Sequence, residues 1–235
     1  KIIKINAENK AAHLGSCLSC VEILLACFEF IKPRFENIIF SKGHAALAFY
    51  TVYENYSKKI NSNNHLKKGS SYWAHLTKDK RKKINYSFGS LGYGAGVAAG
   101  ISLAKKNQKI LCILSDGELN EGSVWESLFF ISHHKLKNVT ILIDQNKLQS
   151  FGKTKDIINV DYKKIFYNLN YNCFHVDGHN IIEILKKLNL ETKKPKIIIC
   201  KTIKGKGIRK YENKVNSHYY PANIRDINLL QWEIS

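Results

Sequence analysis

The stretch ILCILSDGELNEGSVWE, residues 110–126, runs five apolar residues into Ser115-Asp116-Gly117 and then into a polar turn. A short apolar run bounded by turn residues predicts a strand buried on both faces, as in a parallel sheet. A buried strand has no structural need to end on a carboxylate. In an open parallel sheet, however, ligands bind beyond the carboxyl ends of the strands, so Asp116 is delivered to the edge where a site is expected. Gly117 lets the backbone turn tightly and lets a ligand approach.

Outward from this segment the same punctuation recurs. Apolar runs bounded by turn signals occupy Asn37–Phe40, Val139–Ile143, Cys173–Val176 and Lys196–Cys200, with helical stretches such as Ala95–Lys105 and Val124–His134 between them. The alternation predicts an α/β fold: a doubly wound, mostly parallel sheet with helices on both faces. Ser19 and Glu22 have capping-box spacing, which predicts a helix starting there and burying Val21, Leu24, Leu25 and Phe28. Residues 55–87 are polar, rich in lysine and asparagine and weakly periodic, so they read as a surface excursion, and 205–235 reads as an irregular tail. No repeat or convincing boundary divides the chain, so one domain over 1–235 is expected.

Composition narrows the function classes. The 235 residues are 44% hydrophobic, enough for a sizeable core. No run of about 18 uncharged apolar residues occurs, and the opening KIIKINAENK lacks the apolar centre of a secretory signal, so no membrane span and a cytoplasmic location are expected. No methionine occurs, so a natural start upstream of Lys1 is expected. The six cysteines lie mostly within apolar runs and suit reduced core thiols, and Cys17-x-x-Cys20 has no second pair to complete a zinc site. The net charge of +18 raises a nucleic-acid reading, but the lysines are spread along the chain and no recognised binding motif accompanies them. A solvated basic surface attractive to phosphorylated metabolites or an acidic partner is the plainer reading.

Val139–Ile143 also ends in oxygen donors, Asp144-Gln145-Asn146. A carboxylate, an amide oxygen and a backbone carbonyl are what a hard divalent ion takes, and magnesium completes its shell with phosphates, so the pair of strand ends points to a phosphate-bearing cofactor. FGSLGYGAG, with Gly89, Gly92, Gly94 and Gly96, precedes an alanine-rich helix whose free N–H groups suit an anion. The same glycines fit close helix packing, and the polar INYS before them replaces the strand of a dinucleotide fingerprint.

SDGELNEGSVWE followed by IDQNKLQSFGKT resembles the thiamine diphosphate signature, in which a glycine-aspartate-glycine is followed about thirty residues on by asparagine; Ser115 takes the first glycine's place. HLGSCLS, SKGHAAL, the histidine of WAHL fourteen residues before GSLGYG, VDGHN, KTIKGKG and NSHYYP resemble, in order, segments of the transketolase family. The resemblance covers nearly the whole chain and is closest to the separately encoded N-terminal subunit of split transketolases. Two departures stand out: Ala74-His75-Leu76 replaces glycine-histidine-proline, and KDKRKKINYS replaces a GVE-like link.

The resemblance implies that Asp116, Asn146 and the Leu148 carbonyl hold Mg2+ (or Ca2+), with Gly117 and the Gly92 loop against the diphosphate. It implies that His13 lies beside the reacting carbon and assists proton transfer. His44 and His75 would face diphosphate or donor substrate, and His218 would be the late active-site histidine. Glu121 matches a glutamate used in a proton network between paired sites, although an acidic residue near a helix N-terminus is favourable without any such network. His133 and His134 are expected late in a helix, without a chemical role.

The implied activity is transfer of a two-carbon ketol unit between sugar phosphates, with the protein supplying orientation and proton handling. The family's activating glutamate belongs to a pyrimidine-binding domain that the sequence does not show. The implied partners are therefore a C-terminal transketolase subunit carrying that domain and a second copy of this fold, in an α2β2 assembly. The alternatives are deoxyxylulose phosphate synthesis or a modified-sugar ketol transfer on the same scaffold. From another class comes a catalytically silent basic subunit, marked by salt-sensitive nucleic-acid binding without cofactor uptake.

Overall fold

The computed structural model describes residues 1–223 and 225. The five predicted strands form, as β1 (Ile38–Phe40), β2 (Ile110–Ser115), β3 (Val139–Gln145), β4 (Asn172–Asp177) and β5 (Lys196–Lys201). Among the described residues they make one sheet in the order β1-β2-β3-β5-β4, with every neighbouring pair parallel. The helices are α1 (Ile2–Glu8), α2 (Leu14–Ser19), α3 (Val21–Ile31), α4 (Ala46–Tyr53), α5 (Gly94–Ala104), α6 (Gly122–His133), α7 (Thr154–Ile157), α8 (Tyr162–Asn168) and α9 (Ile181–Asn189).

Alternation along each strand feeds two cores. Leu111 and Ile113 of β2 join Leu24, Phe28, Phe49 and Ile184 from α3, α4 and α9 on one face. Ile110, Cys112 and Leu114 join Ala98, Leu128 and Phe166 from α5, α6 and α8 on the other. A side-chain period of two thus covers the sheet with helices on both faces, the doubly wound arrangement that the sequence predicts. Among the described residues no helix is long and apolar enough to cross a membrane.

Three local expectations need correction. Ser19 caps no helix: the chain breaks at Cys20, and the Ser19 hydroxyl donates to Asp144 Oδ2 at 2.6 Å instead. Glu22 turns to His179 rather than back to a cap. Val21 and Leu25 are only partly buried, while Leu24 and Phe28 are fully so. The excursion 55–87 holds only two 3-10 turns, yet it contributes Ile60, Tyr72, Leu76 and Ile84 to the first core. The tail re-enters the fold through a 3-10 turn, Val215–His218, and its residues 224 and 226–235 lie outside the described residues. All six cysteines are free, and five are buried.

Candidate active site

The carboxyl ends of β1, β2 and β3 surround a cavity of about 380 Å3. Its walls include His13, His44, His75, Asp116, Gly117, Glu121, Asn146, Leu148 and His218, so residues from both ends of the sequence meet in one place. His133 and His134, at the end of α6, are not on these walls.

The imidazoles are held by backbone. His13 begins α2 in the left-handed region, with φ 66°, and its N–H donates to the His218 carbonyl at 2.8 Å. A non-glycine residue with this φ is uncommon and persists where its surroundings fix it. His44 sits in the 3-10 turn after β1; a Cβ on the preceding Gly43 would lie 2.0 Å from the Phe88 carbonyl oxygen. That contact is reinforced by Leu76 N–H donating to the Gly43 carbonyl at 2.9 Å, which places His75 beside the same cavity. The His13 ring centroid lies 5.4 Å from His44, 5.6 Å from His75 and 4.9 Å from His218.

Three of these imidazoles, His13, His44 and His218, are uncharged at neutral pH. Burial, with His75, Lys204 and Lys42 nearby, lowers His13 to about 4. Burial and Lys204 lower His218 to about 3, and burial with Lys42 holds His44 well below the usual imidazole range. Neutral imidazoles can accept protons, and a charged cluster would oppose its own Lys42 and Lys204.

Two buried lysines, each on a segment that resembles the family but marked by no spacing signal of its own, organise the floor. Lys42 donates to the Ser16 carbonyl at 2.7 Å, to Ser19 Oγ at 2.9 Å and to Asp144 Oδ2. Burial alone would lower its pKa, but the charge and hydrogen bond of Asp144, together with Cys20 and Cys17, raise it on balance. Asp144, which also accepts from Thr202 Oγ1, is thus turned inward as a counter-ion rather than outward as a ligand. Lys204 Nζ reaches the Gln149 carbonyl at 3.2 Å, the Leu148 carbonyl at 3.4 Å and His218 Nδ1 at 3.3 Å. An ammonium can only donate, so His218 Nδ1 bears the lone pair. Burial and Lys42 lower Lys204 to about 8.

Asp116 is buried just past the end of β2, and its carboxylate accepts the Lys147 N–H at 2.6 Å and is also met by the Gly117 N–H. Burial, and then Asp144, raise it to about 7. A buried carboxylate without a dedicated cation fits a metal position, and Asn146 and the Leu148 carbonyl, which line the same cavity, are the hard oxygen donors that could complete its shell. Asn120 and Gln149, also on the walls, each bury an amide nitrogen without an acceptor. These donors, with Lys204, give the cavity the character of an anion site.

Gly92 departs from its expected place. It is absent from the cavity walls, and its N–H donates to Glu118 Oε1 at 3.0 Å. With φ 88° and a Cβ position 2.8 Å from Glu121 Cβ, it serves a close approach of the glycine loop to the start of α6. Gly94 N–H is likewise taken, by Ser41 Oγ at 3.2 Å. The key missed residue is Glu118, buried with Ser41 Oγ, Gly92 N–H, Ser115 N–H and Ser115 Oγ all donating to it. Its signal was present: Ser115-x-x-Glu118 has capping-box spacing. Glu121 is exposed at the mouth, at the N-terminus of α6.

The family model for the thiamine diphosphate binding domain of transketolase matches residues 9–234. The chain belongs to the transketolase family. Transketolase of Homo sapiens is 32% identical over 94% of this chain, which spans 38% of that relative's length. One of the subunits of the apulose-4-phosphate transketolase of Actinobacillus succinogenes is 32% identical over 100% of this chain and 92% of its own length. In fold, the chain matches a transketolase structure from Campylobacter jejuni with a TM-score of 0.85 at 24% identity, covering 96% of this chain and 39% of that one. It matches a Pichia stipitis transketolase variant with a TM-score of 0.88 at 21% identity, over 98% and 38%. The chain thus has the fold of these transketolases.

Proposed function

We propose that this chain binds thiamine diphosphate through Mg2+ (or Ca2+) and forms the diphosphate-binding half of an enzyme moving a two-carbon ketol unit from a ketose phosphate to an aldose phosphate. The observation that carries the reading is the buried Asp116, without a salt bridge of its own among the described residues, lining one cavity with Asn146, Leu148 and Lys204. Asp116, Asn146 and Leu148 would hold the metal, with Gly117 and His44 beside the diphosphate. Bound there, the cofactor supplies a carbon nucleophile and an electron sink. The chain's own share is orientation and proton handling: His13, neutral above about pH 4, accepts or returns a proton, and His75 and His218 orient the sugar. Glu121, exposed at the mouth, would meet a second copy of this fold.

We read the chain as one diphosphate-binding domain that works with a separate C-terminal subunit carrying the pyrimidine-binding domain. The near-equal length of the relative that is itself named as one subunit of a transketolase supports this division. So does the apolar rim, where Leu91, Ile157 and Phe151 border the cavity and Phe151 is 73% exposed. The test is reconstitution. The chain alone should be inactive, and ketol transfer from xylulose 5-phosphate to ribose 5-phosphate, or then between modified sugars, should appear and saturate near equimolar partner. Full turnover by the chain alone would refute the division.

A further inference from the structure

The turn after β4 carries a histidine outside the cavity. Asp177 Oδ1 accepts from the His179 N–H at 2.9 Å, and a Cβ at Gly178 would lie 2.3 Å from Thr202 Cγ2, so this turn is pressed onto the segment leaving β5. His179 Nε2 lies 2.9 Å from the Ile203 nitrogen, and its Nδ1 lies 3.0 Å from Glu22 Oε2 in the first turn of α3. A backbone N–H can only donate, so Nε2 bears the lone pair and Nδ1 carries a proton that it gives to Glu22. One neutral tautomer satisfies both contacts.

The segment so held leads directly into the cavity. Thr202 N–H donates to the Gln145 carbonyl at 3.1 Å, and Gly205 N–H to the Gly15 carbonyl at 3.0 Å. Between those two backbone anchors, Ile203 N–H depends on the His179 side chain, and the next residue is Lys204.

We propose that His179 is a positioning residue: oriented by Glu22, it fixes Ile203 N–H and thereby sets the reach of Lys204 into the cavity. The affinity arm of its test rests on the thiamine diphosphate reading above; the exchange and labelling arms do not. His179→Ala removes the anchor, whereas the Oε1 of His179→Gln can still accept from Ile203 N–H. In the ligand-free chain, hydrogen exchange at Ile203 should quicken about tenfold in His179→Ala, the equivalent of one hydrogen bond, and stay near wild type in His179→Gln. Acylation of Lys204, followed by peptide mass spectrometry, should quicken severalfold in the alanine variant only.

With Mg2+, thiamine diphosphate should bind His179→Ala about tenfold more weakly in the otherwise wild-type chain, but within about twofold of the parent once Lys204 is methionine. Equal losses in both backgrounds, or unchanged exchange and labelling, would overturn the proposal. If the wild-type chain takes up no cofactor even when reconstituted with its partner, the reading of the cavity fails while exchange and labelling still decide the role of His179. Should His179→Ala lose its circular dichroism, Glu22→Ala, which frees the ring without emptying its place, should show smaller changes of the same sign.

Discussion

Asp116, the first residue past β2, stands one register step beyond the level of Asp144 on the neighbouring parallel strand, Ser115 being paired with Asp144, and among the described residues the lysine salt bridge goes to Asp144 and not to Asp116. The buried Lys42–Asp144 pair leaves Asp116 with a carboxylate neighbour and no lysine side chain of its own among the described residues. Under the proposed metal assignment, the two adjacent strand ends would divide the labour between a structural ion pair and a ligand position.

The metal assignment makes Asp116→Ala a direct test. Calorimetry should show that Mg2+-dependent thiamine diphosphate binding is abolished while circular dichroism stays unchanged; retained affinity would remove the assignment. Without ligand, the sign reverses. Because burial and Asp144 raise Asp116 to about 7, its contribution to folding is fully present below about pH 4 and is lost as the pH rises through about 7. Asp116→Asn should therefore raise the melting temperature of the free chain at pH 8 more than at pH 5.

His13 is predicted to act on the proton rather than on binding. His13→Ala should lower kcat of the reconstituted enzyme by about a hundredfold or more, in the range of general acid–base groups, with cofactor affinity little changed. An equal loss of affinity would make His13 a binding residue.

Lys204 gives the cavity a pH limit. Only the ammonium attracts a diphosphate, and burial lowers Lys204 to about 8, so affinity should fall above that pH by up to about tenfold per unit, whereas below about 7 protonation of Asp116 governs it. Titrations from pH 6.5 to 9.5 should show this slope in wild type and a flatter profile in Lys204→Met.

Glu118 should be a stability residue. Glu118→Ala leaves the buried donors of Gly92 and Ser115 unpaired, a loss of about 3 kcal/mol by urea denaturation. A loss under about 1 kcal/mol would mean that the glycine loop finds other acceptors.

Much of this was legible in the sequence because the signals were local. The strands are short apolar runs between turns, and Asp116 and Asn146 follow them directly, so strand prediction places both at one edge. Ser19 shows where local rules stop: its capping-box spacing is real, but buried Lys42 and Asp144 compete for its hydroxyl and win. Lys42 and Lys204 are two among 37 basic residues, and nothing in their spacing marks them as buried. Gly92 misleads for a related reason: a glycine kept for close packing and one kept for a phosphate look alike until the partner of its N–H is known.

The bond from His13 N–H to the His218 carbonyl spans nearly the whole chain, and it imposes an order in time. A ribosome releases residues from the N-terminus, so β2, β3 and the Asp116–Asn146 edge can be assembled while the last residues are still being made. The backbone bond that fixes the strained start of α2 has no acceptor until residue 218 emerges. The Asp116–Asn146 edge can therefore form before the bond that fixes His13, and a chain stalled short of that turn would carry that edge without the bond that holds His13 in place.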